Sequence, residues 1–157
     1  MTTYQWVSVD AKTGKVLEYL PLSVGSVSQV LGGYTSASAS MPLPDAPENW
    51  QRATLPGAAV MVLLADDLPV WGGLVASRKR SAADTIELAL STLEAAFDRY
   101  YVGDRVFTAT EQCTIVANLV GSFCDLPIRV AYTAGSTVRD RTYKDADDKT
   151  LLSALSD

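Results

Sequence analysis

Glu94 and Asp98 stand four residues apart, the spacing that puts two carboxylates on one face of an α-helix. Two acids held ~5–10 Å apart are what glycoside hydrolysis requires, so this pair is a first candidate for chemistry. The adjacent Arg99 marks the same stretch as a solvated surface. Asp145-x-Asp147-Asp148 has acids at calcium-loop spacing but lacks the glycine and closing glutamate of an EF-hand. The same acids suit the first turn of a helix. Cys113 is expected near the start of a helix and Cys124 just after it; eleven helical residues span roughly 16 Å, beyond the ~7 Å limit for a bridge. Two reduced, partly buried thiols follow, as suits assembly in a reducing cytoplasm. There is no histidine, which removes Ser–His and Cys–His nucleophiles and the commonest zinc ligand. Phosphate-cradling glycine loops and the G-x-S-x-G elbow are also missing from the sequence. The reading is of a non-enzymatic chain, with no catalytic residue, cofactor or metal expected.

Recognition residues are easier to find than catalytic ones. Arg78-Lys79-Arg80 can meet an acidic neighbour or DNA, or can simply be a solvated turn. Trp6, Trp50 and Trp71 can offer sugar-stacking faces, although Trp71 lies in a hairpin that reads as core. Trp50 follows Pro42, Pro44 and Pro47 and is the best-placed interface anchor. With Tyr34 it would carry the contacts of a receptor- or carbohydrate-binding module. A formal net charge of −5 repels phosphate and argues against sequence-independent nucleic-acid binding. The 48% hydrophobic content supplies a core without staples. The longest apolar run, Ala58 to Ala65, is far too short to span a bilayer, and no membrane insertion is expected.

Strands must position these residues. Tyr4 to Val9 alternates with period two, Asp10 to Gly14 carries turn chemistry, and Val16 to Leu20 completes a hairpin. Val24 to Leu31 predicts a third strand. In Tyr34 to Met41, Ser36, Ser38 and Ser40 face one way and Ala37, Ala39 and Met41 the other, small enough for a neighbouring strand or subunit to approach closely. Ala58 to Ala65 reads as a strand buried on both faces, and Asp66-Asp67 as a tight turn. Leu68 to Ser77 returns, with Gly72-Gly73 marking a bulge or barrel corner. Arg78 to Asp84 is the next turn and Thr85 to Leu90 the next strand. About seven short strands ahead of any sizeable helix predict a barrel or sandwich.

The pattern then changes. Thr92 to Arg99 predicts a short helix and Tyr100 to Phe107 an extended segment. Thr108-x-x-Glu111 has the form of a capping box, and Ile115, Val116, Leu119, Val120 and Phe123 recur at helical spacing. Pro127 to Thr133 reads as a strand, and Thr137 to Tyr143 as extended with Arg139 and Arg141 on one face. Asp145 to Asp148 offers the N-cap of a last helix that reaches Asp157 without a C-cap, so the sequence is expected to continue in a longer protein. The expected class is mainly β and α+β overall: a β-barrel over residues 1–107, then the start of an α/β lobe over 108–157.

Several stretches in order carry a resemblance: Trp6 to Val16, Leu20 to Ser28, a Ser/Ala strand ending Met41-Pro42-Leu43-Pro44, then Val70 to Arg78 and Ser91 to Val102. Together they resemble the minor tail proteins of long-tailed phages of actinobacteria and, more distantly, the tail hub and late control D proteins of other phages. The resemblance implies a β-barrel hub, a homotrimer whose barrels join in a ring around the DNA channel at the tail tip. Its partners would be the tail tube, distal tail and tip proteins, with passive contact to DNA and tape-measure protein. It implies a virion location after assembly in the host cytoplasm, and no catalytic residues.

Overall fold

Period-two alternation builds the first half of the chain as strands, seven of them in the computed structural model, which describes residues 2–28 and 33–156. They are β1 (Tyr4–Asp10), β2 (Val16–Leu20), β3 (Ser23–Val27), β4 (Ser36–Pro42), β5 (Ala59–Ala65), β6 (Leu68–Arg80) and β7 (Thr85–Ser91). Of the expected third strand, residues 29–31 lie outside the described residues. All seven pair antiparallel in the order β2-β1-β5-β6-β7-β4-β3.

The expected barrel is not closed by hydrogen bonds: among the described residues no ladder joins the edge strands β2 and β3. Those edges are nevertheless consecutive in the chain, separated by Pro21 and Leu22. That link reaches about 10 Å, whereas seven strands laid flat span about 29 Å. The sheet therefore curls until its two ends meet at Pro21, which has no N–H to give a ladder.

The inner face of the curl is the core. Ala37, Ala39 and Met41 of β4 pair across to Leu90, Leu88 and Ile86 of β7, and all six are buried. Trp6 and Trp71 meet edge to face at 6.0 Å in the same cluster. The Trp71 ring lies over Gly73, where an added Cβ would collide with it and with the Ser91 carbonyl. Gly73 thus serves close approach, and the bulges fall on either side of it, opposite Leu63–Leu64 and between Val75 and Ser77. β5 is not buried on both faces: Ala59, Met61 and Leu63 are inside, while Val60 and Val62 are half-buried on the other side.

Two compact units divide the chain, Met1–Leu93 and Glu94–Asp157, whereas the sequence reading drew the line after residue 107. The difference arises because Phe97 and Val102 join the second core, with Ile115, Leu119 and Leu151. A 3₁₀ helix over Leu93–Arg99 begins at the boundary, and the second unit goes on with β8 (Arg105–Glu111), α-helix Gln112–Phe123, β9 (Val138–Tyr143) and a last helix Leu151–Leu155, with β8 and β9 paired antiparallel. Thr108 lies inside β8 and forms no capping box. The Glu111 carboxylate accepts instead from Gly135 N at 3.0 Å. The helix's first N–H groups go to Thr137 O and Ser136 Oγ, at 2.9 and 3.2 Å. Pro127 to Thr133 is irregular rather than a strand. The last helix is capped by Thr150, whose Oγ1 accepts from Ser153 N, and not by Asp145 to Asp148, of which Asp145–Asp147 form a 3₁₀ turn of their own closed by Asp148 in a left-handed conformation.

Candidate assembly surface

Five residues carried the recognition reading, and the structure joins two of them. Trp50 opens a one-turn helix, α1 (Trp50–Ala53), in which Thr54 N donates to Trp50 O at 2.9 Å and Leu55 N to Arg52 O at 3.2 Å, while so short a turn leaves its other carbonyls to partners outside it. Three side chains supply donors. Ser8 Oγ donates to Ala53 O at 2.5 Å, Thr54 Oγ1 to Trp50 O at 2.7 Å, and Arg78 Nη1 to Gln51 O at 2.6 Å. Arg78 Nη1 also donates to Thr54 Oγ1 at 2.9 Å, and its guanidinium stands 5.1 Å over the Trp50 ring. Ser8 and Thr54 are fully buried. Trp50 is half-buried against the core cluster.

Arg78 reaches this position because β6 runs on through Arg80, where the sequence reading put a turn. The bulge between Val75 and Ser77 swaps the faces, so Arg78 lies opposite buried Leu88 and Arg80 opposite Ile86. Arg78 is thus a latch on α1. Lys79 falls on the outer face, opposite Glu87, in a shallow depression of about 360 Å³ paved by Gly25, Ser38, Ser40, Ser77 and Ala89. Arg80 pairs with Asp84 at 2.5 Å, an exposed contact of little energetic weight. Tyr34 is exposed, while its neighbour Thr35 is fixed to Thr92 by two hydrogen bonds.

The catalytic candidates are not assembled. Glu94 and Asp98 lie on a 3₁₀ helix, where three residues make a turn and an i, i+4 pair no longer shares a face. Among the described residues no group of three or more acids, cysteines or histidines could hold a metal. The three tryptophans form no common platform: Trp6 and Trp71 are interior and Trp50 lies under Arg78. Cys113 and Cys124 are free. Burial, then the Asp125 charge, pushes the Cys124 thiol up. Tyr100 donates to Asp125, and burial followed by that bond raises its hydroxyl to about 12.

The buried polar pair Ser8 and Thr54 escaped sequence reasoning. An alternating strand gives no sign that one of its inward residues is polar for the sake of a helix 45 positions away.

No family model matches the sequence, and a search of curated proteins finds no match. Among solved structures the chain is similar to the 43 kDa tail protein of prophage MuSo2 from Shewanella oneidensis, with TM-score 0.54 and 14% identity, over 98% of this chain and 47% of that one. It is also similar to the tail protein from Neisseria meningitidis MC58, with TM-score 0.47 and 16% identity, over 75% of this chain and 33% of that one. The chain thus spans about half and about a third of the lengths of these proteins. What it has in common with the prophage tail protein is the fold, over nearly the whole of its own length.

Proposed function

We propose that this chain is a non-enzymatic structural component of a bacteriophage tail tip, a hub-type protein whose copies join in a ring between the tail tube and the tip. The observation that carries the reading is the fold correspondence with the prophage tail protein over 98% of the chain. The small-residue outer face supports it. Ser38, Ser40, Ser77 and Ala89 let another backbone come close, and Lys79 beside Glu87 gives that face charges of both signs. A permanent ring would bury more than ~2,000 Å² per interface. On this reading the homotrimer sits in the virion against the tail tube, distal tail and tip proteins, and its acidic character keeps DNA sliding through the channel.

Mass photometry of the purified chain over a range of concentrations tests the assembly. A trimer, or a ring in negative stain, is expected. A monomer at every concentration would overturn the ring. Ser38→Arg should weaken the assembly without unfolding the chain, because it fills the depression with a long charged side chain.

A further inference from the structure

Around the corner at Pro21, the side chains of Trp6, Leu20 and Leu22 go to the core, but the backbone edges there are not all paired. β1 starts before its ladder with β2 does, since that ladder begins at the Trp6–Leu20 pair; Tyr4 and Gln5 therefore have β5 on one side and no strand on the other. In an antiparallel sheet alternate residues turn their N–H and C=O to opposite sides, so one of these two offers both groups outward. Past the bend, β3 pairs with β4 along one edge, and among the described residues no strand pairs with the other. Natural proteins blunt such edges with short strands, bulges, lysine, proline or inward charge. Ser23-Val24-Gly25-Ser26-Val27 is short and has an irregularity in its ladder at Gly25, but it carries no charge and no proline, and all five residues are exposed.

At the same corner lies a hollow of about 340 Å³, lined by residues 4–6 and 19–22. None of those side chains is charged, and Tyr4 and Tyr19 are 64% and 53% exposed. The opposite side of the seam is different, because there α1 packs beside β2.

We propose that this notch receives an extended segment of another protein chain, which adds as a strand along the free edge of β3 and sets apolar side chains of its near end into the hollow. A free ladder edge selects an extended backbone, because only that conformation presents N–H and C=O groups at the matching repeat. The aromatic and proline lining selects apolar side chains, because a charge placed there would lose its water and find no counter-charge. The docking uses the free edge of β3 and the hollow, and the ring the depression, with Gly25 common to both. Peptide shifts on a chain that stays monomeric fail the ring alone, and a trimer without peptide shifts fails the docking alone.

The test uses the full chain labelled with ¹⁵N and a capped hexapeptide of alternating threonine and valine as the probe. The expected result is saturable shifts and slowed hydrogen exchange at the amides of Tyr4, Gln5 and residues 23–27. A peptide methylated on every second backbone nitrogen, which cannot complete the ladder, should bind at least about tenfold more weakly. Val24→Lys should do the same to the unmethylated peptide. Absence of a saturable change, changes confined to other surfaces, or equal binding of the methylated peptide would each overturn the proposal. So would protection of the same amides that grows with protein concentration when no peptide is present, because that assigns the notch to a second copy.

Discussion

Where β2 gives way to β3, the curled sheet has two strand edges without ladder partners. Beside β2 lies α1, held by Ser8, Thr54 and Arg78, with Trp50 laid under the guanidinium. β3 itself is five exposed, uncharged residues, and the hollow edged by Tyr4 of β1 and Tyr19 of β2 lies just before it in the chain. The helix beside β2 is held by bonds from β1 and β6, at the cost of burying polar groups that must all be satisfied. The edge of β3 is left to water. The contrast is between a helix latched onto the sheet by side chains and a strand edge whose backbone has no ladder partner among the described residues.

The contrast breaks first at Arg78. Arg78→Met keeps the aliphatic stem but removes the donor shared by Gln51 O and Thr54 Oγ1, and should cost about 3 kcal/mol of unfolding free energy. Denaturant midpoints at unchanged slope would measure it. Ser8→Ala leaves the Ala53 carbonyl buried without its donor and should cost about 2 kcal/mol by the same measurement. On the bare side, Val24→Lys should move stability by no more than about 0.5 kcal/mol. A loss there as large as at Arg78 would mean that β3 is as integral as the latch, and the comparison would collapse.

The smallest effect is at the first hairpin. Hydrogen bonds from the Thr13 amide, then its hydroxyl, hold the Asp10 carboxyl below its ordinary range. A lowered folded-state pKa gives stability that is present above the unfolded value and lost as pH falls through the folded one. The turn amides of Lys12 and Thr13 should therefore shift in acid, below the ordinary carboxylate range, while the bulk of the fold persists.

The strands were legible because alternation along β1, β4 and β7 follows from one buried face. The long helix of the second unit was equally plain, since Ile115, Leu119 and Val120 recur at its period and all three are buried. The latch was not legible. Arg78-Lys79-Arg80 reads as a turn because three charges precede Ser-Ala-Ala-Asp, and nothing local reveals a bulge that turns Arg78 inward toward Thr54, 24 residues away. The same limit undid the capping box: Glu111 finds its donor at Gly135, again a partner remote in sequence. Trp50 drew notice as an aromatic in a proline-rich loop, but its role depends on Arg78. The open seam lay beyond any local pattern, because it depends on two strand edges that meet only after the sheet has curled.

The chain's proposed place is the end of a phage tail. Electron microscopy of particles assembled with an epitope-tagged copy, decorated with gold-labelled antibody, tests it most directly. Label confined to the tail end, opposite the capsid, is the result expected. Label on the capsid, along the whole tube, or only in the unassembled fraction would contradict it.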